Sequence, residues 1–314
     1  MKAVLQYRAT PGFRGQVSAL EREWLRVTIV PESDKDTFVR EMQDADVLLH
    51  VLEPVTAVTI ERAPRLKLIQ KLGIGVDTID LEAARRGRVA VCNMPGTNTR
   101  AVAELALLLM LATLRRLTQL DAETRAGRGW ALDSDVLDNL GEIGGRTVGL
   151  VGFGAVGKCL TPMLHAMGAR VVYTDLADAS AGPAVGVALA ELLSLADIVS
   201  LNVPLTAETA GMMNDARFAA MKPGAILVNT ARGGLVDHSA LHRALVNGRL
   251  RGAGLDVFEA EPADSSHPLF RLRNVVFTPH LAWFTAETLQ RSLGVFVENC
   301  RRLRAGEPLL NQVV

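Results

Sequence analysis

Short apolar runs alternate with longer stretches whose apolar positions recur every three or four residues. The early runs are Ala3–Tyr7, Val27–Val30, Val47–His50, Leu68–Lys71 and Ala90–Cys92. The later ones are Val148–Val151, Arg170–Thr174, Ile198–Leu201, Ala225–Asn229, Gly252–Leu255 and Val275–Thr278. Alternation of short runs with helical periodicity predicts strand–helix units and mainly parallel sheets. The first set predicts a smaller sheet of its own and the second a six-stranded sheet. Asn93–Pro95–Gly96 reads as a loop, and the helix opening near Thr97–Thr99 as the crossing between the sheets. A long amphipathic helix, from Ala286 to about Arg304, follows the last strand and is expected to return the chain to the first sheet. These features divide the chain into 1–97, 98–285 and 286–314, with the outer two segments forming one discontinuous domain. Two crossings between domains would make a hinge that permits cleft closure. The Gly- and Asp-rich stretch Gly127–Gly145 reads as an extended arm or loop rather than core.

Composition narrows the function classes. At 314 residues the chain can hold two domains and a sizeable core. Lys+Arg and Asp+Glu both total 34, which gives no support for a nucleic-acid or anionic-membrane partner. Three cysteines, Cys92, Cys159 and Cys300, have no paired spacing; they suit free buried thiols and a cytoplasmic protein. The N-terminus starts with a strand-like run and no signal-peptide pattern. Ala101–Leu114 is too short to span a bilayer, which takes about 20 residues, and reads as a buried helix. No internal repeat is present. The six histidines lack metal-ligand spacing, so no metal site is expected. His238 and His242 follow polar residues and are expected on a solvated face, and Ser200 and Ser292 lack a nucleophile-elbow context.

The run ending at Val151 leads into G-x-G-x-x-G at Gly152, Gly154 and Gly157, and Asp175 closes the next run. A glycine at 152 permits a tight turn, one at 154 lets backbone approach a pyrophosphate, and one at 157 lets the next helix pack closely. The helix N-terminus offers unpaired amides and a positive dipole end to phosphates. Asp175 would accept from ribose hydroxyls and repel a 2′-phosphate, and no Arg or Lys follows it nearby. The pattern predicts a Rossmann-type doubly wound parallel sheet that binds NAD in preference to NADP, beside a smaller flavodoxin-like α/β domain.

Charged residues of the C-terminal half fall just past expected strand ends, where open α/β sheets bind ligands. Arg232 follows Ala225–Asn229, Asp256 and Glu261 follow Gly252–Leu255, and His280 follows Val275–Thr278. Hydride exchange with a 2-oxo acid needs a cation for the carboxylate and carbonyl, and an acid/base near neutral pKa. Histidine beside a carboxylate supplies the second, and the planar fork of arginine the first. Singly, each residue also reads as an ordinary loop residue; the case rests on their convergence at one sheet edge. Gly73–Gly75 reads either as a close-approach anion loop or as a plain strand-to-helix turn.

Nearly the whole chain resembles the NAD-dependent D-2-hydroxyacid dehydrogenases. The resemblance is carried by 71-KLGIGVD-77, 91-VCNMPG-96, 99-TRAVAE-104, 150-LVGFGAVG-157, 221-MKPGAILVNTARGG-234, 254-GLDVFEAEP-262 and 278-TPH-280. It implies that Arg232 binds substrate, that His280 donates the proton in reduction, and that Glu261 pairs with it. It also implies that the Ile74 and Gly75 amides hold the substrate carboxylate. The cofactor would lie along Thr99, Ala155, Val156, Asp175, Val203, Pro204, Thr209, Thr230, Ala231 and Asp256, besides the motif glycines, Arg232 and His280.

Glu261 argues against formate dehydrogenases of this fold, which carry glutamine there. Leu-Ala-Trp after His280 resembles hydroxypyruvate/glycerate dehydrogenases and C-terminal-binding-protein corepressors. Trp283 then either borders the substrate pocket or packs the helix cap. The expected activity is hydride transfer between NAD(H) and a small 2-oxo/2-hydroxy acid, such as glyoxylate, hydroxypyruvate or pyruvate, with a D-product. The alternatives are D-3-phosphoglycerate oxidation, or a non-catalytic NAD-responsive binding protein. The helix Ala101–Leu114 and the arm after it are expected to form a homodimer surface, as the family's usual dimer requires.

Overall fold

A computed structural model describes residues 1–177 and 182–314. The chain divides into two compact units, residues 1–98 with 284–314 and residues 99–283.

The first unit is built on five parallel strands, β1 (Lys2–Gln6), β2 (Arg26–Val30), β3 (Val47–His50), β4 (Leu68–Lys71) and β5 (Ala90–Cys92), in the order β2-β1-β3-β4-β5. That is the flavodoxin-like order. β3 and β4 are buried along their whole length, including the polar residues that end them, His50 in β3 and Gln70 and Lys71 in β4. The 20-residue helix Ala286–Ala305 belongs to this unit. Its buried Asn299 donates to Gln70 Oε1 at 2.7 Å, and accepts from the Leu310 amide at 2.7 Å. The C-terminal residues then cover the free edge of β5, with the Val313 amide donating to the Val91 carbonyl at 2.7 Å. Cys92 and Cys300 are buried free thiols, pushed by that burial up to about 11 and about 12.

The second unit contains a seven-stranded parallel sheet. Its strands are β6 (Thr147–Val151), β7 (Arg170–Thr174), β8 (Val185–Gly186), β9 (Ile198–Leu201), β10 (Ala225–Asn229), β11 (Leu250–Leu255) and β12 (Val275–Phe277). They lie in the order β12-β11-β10-β9-β6-β7-β8. This is the Rossmann pattern with one more strand beyond β11, and its direction reverses between β6 and β9. Side chains alternate between two cores: Val199, Leu201 and Leu227 on one face, Ile198, Ile226 and Val228 on the other. The expected six strands become seven because β8 has two exposed residues, too few for any periodicity, and is recruited by pairing with Val172 and Tyr173.

The helix Thr99–Leu114 packs one side on this sheet; a Cβ on Gly254 of β11 would lie 2.8 Å from the Leu109 Cβ. It is not buried all round, since Leu108 is 53 % exposed. The expected arm holds a short helix, Ser134–Asp138, rather than extended chain throughout. No helix among the described residues is long and apolar enough to cross a membrane.

Candidate active site

The three glycines of the motif each do a different job. Gly152 has φ +95°, and a Cβ there would lie 2.8 Å from the carbonyl carbon and oxygen of Asn202. Its turn therefore fits against the exit of β9, at the reversal point of the sheet. A Cβ on Gly157 would lie 2.9 Å from the Gly152 carbonyl oxygen, so the helix Ala155–Ala166 can sit this close only with glycine there. A Cβ on Gly154 would meet nothing within 4 Å. That open side, at a helix start with no side-chain cap, leaves the amides of Ala155, Val156 and Gly157 without intrahelical acceptors. This is the geometry that takes a phosphate.

Asp175 follows β7. Its Oδ2 accepts from the Phe153 amide at 2.6 Å and its Oδ1 from the Ala177 amide at 3.0 Å. The bond from Phe153 chiefly, and that from Ala177 next, hold its carboxyl below the usual carboxylate range. Asp175 thus ties the glycine turn to the end of the neighbouring strand, with a negative charge at the exposed rim.

Further along the same edge, Asn202 Oδ1 and Thr230 Oγ1 are buried with no hydrogen-bond partner among the described residues, as is Thr99 Oγ1 at the start of the helix Thr99–Leu114. Unpaired buried oxygens are costly, and native proteins seldom keep them without a ligand or water. Together with the open Gly154 and the ionised Asp175, they fit a polar dinucleotide along this rim. Thr99 and Thr230 were expected there; Asn202 was not, since nothing but its place one residue past β9 marks it. After it come Val203, Pro204 and Thr209, the last donating to the Pro204 carbonyl at 2.7 Å and closing that loop on itself.

The chemistry-bearing residues sit at the ends of β10, β11 and β12, which are neighbours in the sheet. Asn229, wholly buried, braces the turn of Thr230, Ala231 and Arg232 from both sides. Its Oδ1 accepts from the Ala231 amide at 3.0 Å, and its Nδ2 donates to the Arg232 carbonyl at 2.8 Å. Arg232 itself donates through Nη1 to the Ala231 carbonyl at 2.7 Å. His280 and Glu261 form a direct pair, Nδ1 to Oε2 at 2.5 Å, with the side chains 19 % and 30 % exposed. Glu261 Oε1 accepts from the Phe258 amide at 2.9 Å, so both of its oxygens are fixed. Burial opposes ionisation of Glu261, yet the bond and charge of His280, the Phe258 amide and the charge of Arg232 outweigh it and hold the carboxyl low. Guanidinium, carboxylate and imidazole are therefore within one another's electrostatic reach.

His280 is held at φ +54°, in the left-handed region that a non-glycine residue adopts only when its surroundings enforce it. Asp256, completely buried at the end of β11, supplies that enforcement. Its Oδ1 accepts from Thr278 Oγ1 at 2.6 Å and the Leu281 amide at 2.9 Å, and its Oδ2 from the Ala282 amide at 3.0 Å. Its carbonyl accepts from the His280 amide at 2.6 Å. Burial pushes the Asp256 carboxyl up, against those bonds and the His280 charge. Expected as a cofactor contact, Asp256 has both side-chain oxygens engaged by the turn that carries the histidine.

In the other unit, Gly73 has φ +128° and its carbonyl accepts from the Met94 amide at 2.8 Å. Asn93 Nδ2 donates to the Ile74 carbonyl at 3.0 Å. Two bonds from one strand exit thus fix the loop bearing Ile74 and Gly75. Trp283 is buried, 7 % exposed. His238, expected on a solvated face, is instead 2 % exposed, because the segment after β11 folds over the start of its helix. No group of three or more potential metal ligands occurs among the described residues.

Fold and rim together define a dinucleotide-binding α/β protein with an imidazole–carboxylate dyad. Residues 107–282 match the family described as D-isomer specific 2-hydroxyacid dehydrogenase, NAD binding domain. A D-3-phosphoglycerate dehydrogenase of Mycobacterium tuberculosis is 40 % identical over 90 % of this chain and 54 % of its own length. A glyoxylate reductase of Korarchaeum cryptofilum is 37 % identical over 89 % of this chain and 87 % of its own. The crystal structure of the TT0316 protein from Thermus thermophilus superposes with a TM-score of 0.90 at 38 % identity, covering 100 % of both chains. The chain belongs to the D-isomer specific 2-hydroxyacid dehydrogenase family and carries its NAD-binding domain. It spans about half the length of the phosphoglycerate dehydrogenases it matches.

Proposed function

We propose that the protein is an NAD-dependent 2-hydroxyacid dehydrogenase that interconverts a small 2-oxo acid, such as glyoxylate or hydroxypyruvate, and its D-2-hydroxy acid. The observation that carries this reading is the His280–Glu261 pair at 2.5 Å within reach of the Arg232 charge. With Nδ1 committed to Glu261, Nε2 of the imidazolium is the nitrogen left to serve substrate. NADH, when bound, supplies the hydride. As the carbonyl carbon takes that hydride and its C=O π bond breaks, His280 passes the Nε2 proton to the oxygen. Glu261 stays ionised and stabilises the imidazolium that must be present at the start of reduction. Arg232 binds the carboxylate and polarises the carbonyl. Thr99, Asn202, Thr230 and Asp175 would hold the cofactor, and the amides of the Gly154–Gly157 turn would take its pyrophosphate.

The test is NADH oxidation with glyoxylate, hydroxypyruvate, pyruvate and 3-phosphohydroxypyruvate. Turnover of the small acids is expected. Turnover of the phosphorylated acid alone would overturn the substrate assignment in favour of the activity named for the mycobacterial relative. NADH binding without turnover of any of them would favour a binding protein.

We also propose a homodimer through the second unit. The helix Leu117–Arg125 has no buried residue, and Leu108, Leu117, Leu137 and Trp130 are 53, 51, 51 and 97 % exposed. These exposed apolar side chains are the ones that the proposed contact would cover. Sedimentation is expected to give twice the 33.8 kDa chain mass; a species of that mass alone, at micromolar protein, would remove the proposal. A cytoplasmic location accords with three unpaired cysteines, two of them buried.

A further inference from the structure

His238 opens the helix His238–Val246, behind Asp237, whose carboxylate accepts from the Ala240 amide at 2.9 Å. Its ring stands edge-on to His267, with centroids 5.4 Å apart, and edge-on to Phe258 at 6.3 Å. Phe258 in turn packs on Phe270 at 5.4 Å and stacks with Phe277 of β12 at 6.1 Å. The His238 amide donates to Glu259 Oε1 at 3.0 Å. The segment 258–261 is therefore fastened to this helix start twice, by Glu259 and by the ring of Phe258. The same Phe258 donates its amide to Glu261, the carboxylate that grips His280.

Nε2 of His238 is buried and has no hydrogen-bond partner among the described residues. A neutral imidazole tolerates that; an imidazolium would put a desolvated charge among aromatic rings. Burial accordingly holds His238 below the ordinary imidazole value. The charged and titratable groups that face it are Glu259 from the folded-over segment and Asp237 from its own helix, which favour the proton, and His267, which opposes it.

We propose that His238 is a positioning residue for the Glu261–His280 dyad, acting through Phe258. While its ring is neutral and edge-packed, the segment 258–261 keeps Glu261 on His280. Proton uptake by His238 drives the ring toward water, releases that segment and uncouples the pair. The sign follows from the lowered value: native order at this site is complete above the unfolded imidazole value of about 6.5, and is lost as pH falls below it toward the native one.

This inference rests on reading Glu261–His280 as the acid–base pair, and its test separates the two. The variants are His238→Phe, which fills the ring's space and cannot titrate, and His238→Gln, which keeps polarity without a titration. The imidazole carbon-bound proton signals are followed by NMR against pH, with NADH bound. In the wild type the His280 signal is expected to show a second inflection coincident with the titration of His238; in both variants that inflection disappears. With glyoxylate and NADH, wild-type kcat should fall on the acid side as His238 takes up its proton. Both variants should keep their kcat through that range, and should run within a few-fold of wild type well above the imidazole range. A His280 signal that titrates identically in wild type and variants would overturn the proposal whether or not glyoxylate is a substrate. A loss of kcat equal at every pH would overturn it too, since that is what mere packing would give. Failure of all 2-oxo acids to react, with the linked inflection intact, would sink the catalytic reading and leave the linkage standing.

Discussion

Replacing His280 with alanine is expected to cut kcat for 2-oxo acid reduction by about 10²–10⁴-fold, the usual worth of a positioned proton donor, with NADH affinity changed by no more than a few-fold. The two effects separate because of where the ring sits. The imidazole is an appendage of a turn whose backbone is fixed by Asp256 through four bonds, none of which involves the His280 side chain. Truncation at Cβ therefore removes the proton donor without loosening the turn. The rim proposed to hold the cofactor, Gly152–Gly157, Asp175 and Asn202, belongs to β6, β7 and β9, away from β12 in the strand order. Glu261→Gln is the companion change. Glutamine can still accept a hydrogen bond from Nδ1 but cannot stabilise an imidazolium, so the loss should appear in kcat more than in KM. The pH behaviour of Glu261 itself follows from its depressed carboxyl. Its contribution to folding is fully present above the unfolded glutamate value of about 4.3, and is lost only as pH falls through the lower native value. Wild type should therefore keep the dyad's carboxylate ionised throughout the pH range of a kinetic assay. A His280→Ala protein that reduces glyoxylate at wild-type rate would end the assignment of His280 as proton donor.

Much of this rim was legible in the sequence, for a physical reason. Buried parallel strands are written as short, mostly apolar runs, and β3, β4, β5, β7, β9 and β10 have the ends that those runs predict. Parallel neighbours then bring whatever follows each run to the same edge, which is how the sequence groups Arg232, Glu261 and His280. What stayed hidden lacks local pattern. β8 has two residues and owes its existence to Val172 and Tyr173. Asn229 and Asp256 work through bonds to backbone in turns, and a sequence does not say which amide a carboxylate will meet. Asp256 was located, but its grip on the His280 turn depends on Thr278, Leu281 and Ala282 folding back over it. The burial of His238 is the sharpest departure. Asp237, Ser239 and His242 around it signal a solvated helix face, and only the aromatic cluster of Phe258, His267 and Phe270 reverses that.

Gly233→Ala is expected to damage both folding and turnover, because that glycine is where the Arg232 turn and the Glu261 segment touch. A Cβ at 233 would lie 2.5 Å from the Glu259 amide nitrogen, and closer still to the carbonyl carbon and oxygen of Phe258. All three atoms are backbone, so no side-chain rotation relieves the clash. Either the turn bearing Arg232 lifts off Asn229, or the segment 258–261 retreats and takes Glu261 from His280. Overpacking of this kind costs about 1–3 kcal/mol and more where backbone must move. For a unit of this size that corresponds to a fall in Tm of several degrees. Activity should suffer beyond the loss of stability, since a displacement of about 1 Å at a reacting group can cost 10²-fold. Gly154→Ala is the control, because its Cβ meets nothing within 4 Å and the backbone there has ordinary negative φ. That variant should melt like wild type and instead weaken NADH binding, as the added methyl occupies the side open to phosphate. Thermal melts, NADH titration and kcat on the pair would therefore show opposite signatures: one protein unstable and slow, the other stable and poor at holding cofactor. A Gly233→Ala protein with unchanged Tm and kcat would mean that the contact between the two segments is not what sets the distance from Arg232 to Glu261.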